Sequence, residues 1–156
     1  MKVLSFDQSS KISSFALWDD GKYIECGSID LHKIKDTDER IRMMSIELFK
    51  VIQKYSPNVV IIEEVAQQSN VQALKVLARM QGCIIGFCAA HKIETHIIEP
   101  SRWRATLHFK LGPGVKRQEL KQQAINYVKE NYNLEVSEDE CEAICIGEAA
   151  HKIYNF

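Results

Sequence analysis

A chain of 156 residues suits one domain, 1–156, and is long enough to bury a real core. Its 46% hydrophobic and 26% charged residues are those of a soluble globular protein and exclude a disordered one. No apolar run reaches the roughly 18 residues of a membrane span, and Asp7 falls where a secretory signal is apolar, so the expected setting is the cytoplasm with no membrane partner.

Residues 2–7 and 13–18 read as short β-type runs, and Asp20-Gly21 is a hairpin turn signal leading to a third strand at 22–30. Asp36-Thr37-Asp38-Glu39 resembles a capping box. It opens an amphipathic helix through Ile41, Met44, Leu48 and Ile52 to about Tyr55, which Pro57 and Asn58 stop. Val59-Val60-Ile61-Ile62 is a continuous apolar run, as in a central strand covered on both faces. A helix apolar nearly all round follows at 69–91, then a fifth strand at 93–98. Residues 100–115 read as basic and partly irregular, with a helix near 116–132. Ser137-x-x-Glu140 is a capping box for the last helix, which runs to about Tyr154. The predicted order is βββαβαβα. It gives an α/β fold with a five-stranded mixed sheet and helices on both faces, and it resembles the ribonuclease H-like fold, although several α/β families share it.

Charge is uneven although the net is −1. Over 102–129, Arg102, Arg104, Lys110, Lys116, Arg117, Lys121 and Lys129 face the single acid Glu119. From 135 onward, Glu135, Glu138, Asp139, Glu140, Glu142 and Glu148 face only Lys152. A basic stretch beside an acidic one suits a protein that grips phosphates with one and cations with the other; solvated helix surface is the competing account. Cys26, Cys83, Cys88, Cys141 and Cys145 are odd in number and lack a Cys-x-x-Cys pair, so they read as reduced thiols in apolar surroundings and supply no zinc site.

Three positions carry acids where chemistry could gather. Asp7 ends the first strand, Glu63 and Glu64 end the buried fourth strand, and Asp139 and Glu142 share a face of the last helix. These acids converge if strands one and four are neighbours and the last helix crosses their ends. Two carboxylates about 4 Å apart repel by roughly 4 kcal/mol at a partly buried site, so such a group needs a cation. All-oxygen ligation points to Mg²⁺, with Mn²⁺ substituting, and two ions can act together on a phosphodiester. For each acid alone, turn capping, solvent exposure or helix-dipole stabilisation is the plainer account.

Phe6-Asp7-Gln8-Ser9-Ser10 resembles the opening motif of the RuvC-type Holliday-junction resolvases, an apolar residue, Asp, Pro-Gly, Ser. Ile62-Glu63-Glu64-Val65 is similar to that family's strand-four Ile-Glu-x-Val. Asp139-Glu140-Cys141-Glu142-Ala143-Ile144-Cys145-Ile146 resembles its final Asp-x-x-Asp-Ala helix, and Ala73-Leu74-Lys75 with Gln81-Gly82 echo its long helix. The resemblance spans nearly the whole chain. It implies Asp7, Glu63, Asp139 and Glu142 as catalytic metal ligands, Glu64 as their neighbour, and Lys116, after Gly112-Pro113-Gly114, as a catalytic lysine near the scissile phosphate. Gln8-Ser9 in place of Pro-Gly, Glu142 in place of Asp, and Ala66 where relatives carry a junction-probing Phe mark a divergent, phage-type branch.

Arg102, Arg104, Lys110, Lys116 and Arg117 are the expected DNA-binding residues, holding backbone phosphates without reading sequence. Trp103 between the two arginines either packs in the core or stacks on an unpaired base. The all-round apolar helix needs covering on both sides, by the sheet and by a second copy, and a two-fold dimer matches a two-fold junction. The expected activity is paired, Mg²⁺-dependent resolution of four-way DNA junctions, without a small-molecule cofactor. A general flap or fork nuclease and a catalytically silent junction binder are the alternatives.

Overall fold

The computed structural model describes residues 1–66 and 69–156. β1 (Lys2–Asp7), β2 (Ile12–Asp19) and β3 (Lys22–Asp30) form an antiparallel meander. Asp20 and Gly21, both at positive φ (47° and 73°), close the second hairpin with the backbone twist that a two-residue turn requires. α1 (Thr37–Tyr55) starts where the Asp36 carboxylate accepts the Glu39 N–H at 2.7 Å, and ends at Ser56 in the left-handed region. β4 (Val59–Glu63) returns parallel to β1, α2 (Val71–Ala90) crosses over, and β5 (Glu94–Ile98) lies parallel to β4. α3 (Pro100–Thr106), α4 (Arg117–Tyr132) and α5 (Glu138–Tyr154) complete the chain. Among the described residues the sheet is mixed and five-stranded, ordered β3-β2-β1-β4-β5.

Alternation along the central strands builds a core on each face. Leu4, Phe6, Val60 and Ile62 pack against α1 and α2 through Met44, Leu48, Met80 and Ile84. Val3, Val59 and Ile61 pack on the opposite face with Trp103, Ala124, Val128 and most of α5. Helices therefore cover both faces, as expected from the apolar run of β4.

One expectation is refined. The segment at 100–115 is not irregular at its start: Pro100, whose missing N–H costs nothing at the first helical position, opens α3. By length and composition α2 is long and apolar enough to cross a membrane, although it holds no uninterrupted apolar run of that length. Met80, Ile84 and Cys88 are nonetheless sealed in the core, and Lys75 and Arg79 interrupt its first half. The cysteines are all free thiols; Cys88, Cys141 and Cys145 are buried, while Cys26 and Cys83 are half-buried.

Candidate active site

The same alternation aims the acids. On β1, Val3 and Ser5 face α5, so Asp7 does too; on β4, Val59 and Ile61 face it, so Glu63 does. Phe6 stands opposite Ile62 in the parallel register, which sets Asp7 and Glu63 on neighbouring strand ends. α5 runs back along β1. The Ser5 hydroxyl donates to the Ala143 carbonyl at 2.8 Å, and Gly147 lies so close to the sheet that a Cβ there would stand 2.1 Å from Trp18 Nε1. Asp139, about one turn before Ala143, and Glu142, next to it, come over the end of β1. Asp7, Asp139 and Glu142 each offer a carboxylate oxygen, and the three oxygens lie within 4.8 Å of one another.

Glu63 lines the same cavity, of about 530 Å³, but its carboxylate is turned to other partners. The indole N–H of fully buried Trp103 donates to Glu63 Oε1 at 2.7 Å. The Arg104 guanidinium stands 3.3 Å from Glu142 and 3.8 Å from Glu63, and its Nε lacks a hydrogen-bond partner among the described residues. The backbone of Glu63 is clamped as well. Gln8 Nε2 donates to its carbonyl at 2.6 Å, and Gln8 Oε1 accepts its N–H at 3.2 Å. Gln81 donates to that carbonyl at 3.3 Å and to Glu64 Oε1 at 3.0 Å. Gln8, departing from the Pro-Gly of the resembled motif, thus extends the β1–β4 pairing by a side chain.

Burial pushes the Asp7 carboxyl well above the usual carboxylate range, and the charges of Glu142, Glu63 and Asp139 add to the rise. Burial raises Glu63 also, against the Trp103 hydrogen bond and the Arg104 charge, which pull it back. Lys121 Nζ lies 3.4 Å from Asp139 and 3.1 Å from Glu138. Burial works against its charge, yet these acids together hold its pKa above the ordinary lysine value. Converging all-oxygen donors whose mutual repulsion raises Asp7 fit a hard divalent cation.

The expected cations are distributed unevenly. Arg104 and Arg117 line the carboxylate cavity, with Leu120 between Arg117 and Lys121 on the same helix. Lys116 is exposed at the N-cap of α4 and is not part of that lining. Arg102 is exposed, its guanidinium 5.8 Å from the Tyr154 ring centre, and Lys110 is exposed on the loop after α3. Trp103 packs in the core, so its base-stacking alternative is set aside. Lys121, Trp103 and Gln8 were not expected at the site. Lys121 was discoverable as the residue four after Arg117, on one helix face; the other two contacts join distant parts of the sequence.

Residues 4–146 match the family described as crossover junction endodeoxyribonuclease RuvC. The chain is 30% identical over 89 residues to the RuvC of Trichlorobacter lovleyi, a match covering 54% of this chain and 50% of that protein. The chain spans about half the length of the relatives it matches at this identity. In fold it is similar to Thermus thermophilus RuvC solved with a Holliday junction substrate (TM-score 0.77, 12% identity, 99% of this chain and 95% of that one). It is also similar to the fowlpox virus resolvase solved with Holliday junction DNA (TM-score 0.67, 17% identity, 99% of each chain). With the family match running from the second residue of the apolar part of β1 into α5, across all three carboxylate-bearing elements, this chain belongs to the RuvC family.

Proposed function

We propose that this chain is a homodimeric, Mg²⁺-dependent endonuclease that resolves four-way DNA junctions by cutting one phosphodiester in each of two opposing strands. The observation that carries this reading is the convergence of Asp7, Asp139 and Glu142, with Glu63 beside them, in a chain of the RuvC family. Asp7, Asp139 and Glu142 would hold Mg²⁺, with Mn²⁺ as substitute, and Glu63 with Asp7 would serve a second ion. Such ions activate water and stabilise the leaving oxygen of a phosphodiester. Trp103 and Gln8 hold Glu63 in place from the side chain and from the backbone. Arg104 and Arg117 would take phosphate oxygens inside the cavity, where removal from water strengthens the attraction. Lys116 would stand near the scissile phosphate by family resemblance, while Arg102 and Lys110 would hold phosphates farther along without sequence readout.

The reading of a dimer rests on α2. Its outward side carries Val71, 58% exposed, and then Ala78, Gly82 and Gly86, all exposed, between half-buried Leu74 and Ile85. Small residues along such a side allow a second helix to approach closely, and burying apolar surface drives the contact. The expected compartment is the cytoplasm, the host's if the chain is phage-encoded.

Incubating purified protein with a mobile four-way junction and with its component duplexes, with and without Mg²⁺, tests the reading. Paired, symmetric cuts in the junction that need the metal are expected. Unpaired nicks in flaps or forks as readily as in junctions would make it a general branched-DNA nuclease, and metal-independent binding without cleavage would make it a silent binder.

A further inference from the structure

A second concavity, of about 890 Å³, adjoins the carboxylate cavity and shares Ser9, Lys11, Leu77 and Arg117 with it. It runs from the β1–β2 turn past the entry of α1 to the first half of α2. Its acids are already engaged. Asp36 caps α1 by accepting the Glu39 N–H, and Asp38 pairs with Arg79 at 3.2 Å. Its walls are tied together by buried Arg40, which donates from Nε to Ser10 Oγ at 3.2 Å and from a terminal nitrogen to the Ile34 carbonyl at 2.9 Å.

Lys11, Lys35 and Lys75 line this groove, are exposed, and form no ion pair among the described residues. Lys50 pairs with Glu47, Lys129 with Glu135 and Lys152 with Glu148, while Lys22, Lys33 and Lys92, also without an ion pair among the described residues, line neither cavity. The groove's cations, Lys11, Lys35, Arg40, Lys75, Arg79 and Arg117, outnumber its two carboxylates and leave a net positive potential, which a low-dielectric wall focuses. The ligand this selects is an extended polyanion rather than a single small anion, since the groove's lysines come from three separate segments, the β1–β2 turn, the loop before α1, and α2.

We infer that this groove is a second phosphate-binding tract, which takes the nucleic-acid backbone as it leaves the carboxylate cavity on the α1–α2 side. The inference rests on the DNA-cleaving reading above. It assigns Lys11, Lys35 and Lys75, none of them in the basic 102–129 stretch, to grip of the substrate. The carboxylates would then lie between two basic walls, α3–α4 on one side and the α1–α2 groove on the other.

Equilibrium binding of the whole chain to a labelled four-way junction, in EDTA and over a series of salt concentrations, tests it. The variant Lys11→Ala/Lys35→Ala/Lys75→Ala is compared with Lys22→Ala/Lys50→Ala/Lys152→Ala, which removes equal charge outside both basic walls. Loss of up to three phosphate contacts should lower the slope of log affinity against log salt by roughly two to three and weaken binding at least about tenfold. The control variant should stay within about twofold of the parent. Unchanged slope and affinity in the groove variant, with the parent binding well, overturns the groove alone; so does an equal loss in the control. A parent that binds neither junction nor duplex at low salt overturns the functional reading and the groove together. All three groove lysines are exposed, and matching thermal melts confirm that the variants fold.

Discussion

α2 and α5 are helices of similar length that meet the sheet in opposite ways. α2 is the more apolar, yet only Met80, Ile84 and Cys88 are buried. α5 carries a run of acids and still buries Cys141 through Gly147, with Ala149 and Ala150. Ala143, Gly147, Ala149 and Ala150 let α5 sink onto β1 and β2, whereas α2 meets the core along the single line of Met80, Ile84 and Cys88 and leaves Val71 exposed. Apolar content alone therefore does not locate the core. α5 is buried because it must hold two carboxylates over a third, and α2 is apolar beyond what this chain can cover.

The strongest way to break this contrast is to remove an acid from the sunken helix or its strand. Asp7→Asn and Asp139→Asn should each lower single-turnover junction cleavage by about a thousandfold or more, since several kcal/mol of charge stabilisation are lost. Both variants should still fold and bind the junction, because losing a carboxylate relieves repulsion in the metal-free protein. Full-rate cutting by either would remove that residue from the site.

A glycine on each helix sharpens the comparison. Gly147→Ala places a methyl 2.1 Å from Trp18 Nε1 and 2.7 Å from Ser5 Oγ, and Trp18 is held in the core. Overpacking of this kind should cost about 1–3 kcal/mol in chemical denaturation, and cleavage should fall as Asp139 and Glu142 lift away. On α2, nothing lies within 4 Å of a Cβ added at Gly82. Gly82→Arg should leave the fold intact but give monomers in sedimentation at micromolar concentration, with single nicks replacing paired cuts. A parent that is monomeric yet cuts in pairs would break the reading of α2.

Smaller still is the effect expected at Glu63 on β4, whose carboxylate is turned to Trp103. Trp103→Phe keeps an aromatic ring in the core and deletes the indole donor to Glu63. Groups that orient a metal ligand typically affect metal affinity by about 10–100-fold, and the lower end is expected here because Gln8 still clamps the Glu63 backbone. Isothermal titration with Mn²⁺ measures this. An unaltered affinity would make Trp103 a packing residue only.

Much of the arrangement was legible because it depends on local rules. The apolar run of β4, the Asp20-Gly21 turn and the Ser137 capping box fixed element order, and two-residue alternation then aimed Asp7 and Glu63 to one face. α3 escaped because it is a single short helix with one buried residue, Trp103, and its stability comes from tertiary contacts that no periodicity records. Where the Lys116-Arg117 pair sits relative to the cavity was not legible either. Which cation of the Lys116-Arg117 pair meets the cavity depends on where α4 starts, and the N-cap falls on Lys116, leaving Arg117 in the wall. The clamp of Gln8 on Glu63 joins residues 55 apart and has no signature in sequence.

The smallest expected effect concerns acidity, and its sign separates the sunken carboxylates from ordinary surface acids. Asp7 in the folded chain has a pKa well above the unfolded value, first through burial and then through Glu142, Glu63 and Asp139. The folded state therefore binds a proton more tightly than the unfolded one. The contribution of Asp7 to stability is full below the ordinary carboxylate range, about 4, and is lost as pH rises through the raised folded value. Exposed Asp20 and Asp30, whose pKa values are lowered by the N-terminal amine and by His32, act in the opposite direction. Without metal, melting of the parent compared with Asp7→Asn isolates the first term. The variant should melt higher at neutral pH, and the gap should shrink as pH falls. Saturating Mg²⁺ should reverse the order, because the cation binds the ionised carboxylates of the parent and stabilises only the folded state. A gap that is independent of both pH and Mg²⁺ would mean that Asp7 is not strained by its neighbours and that the acids of α5 do not share a cation with β1.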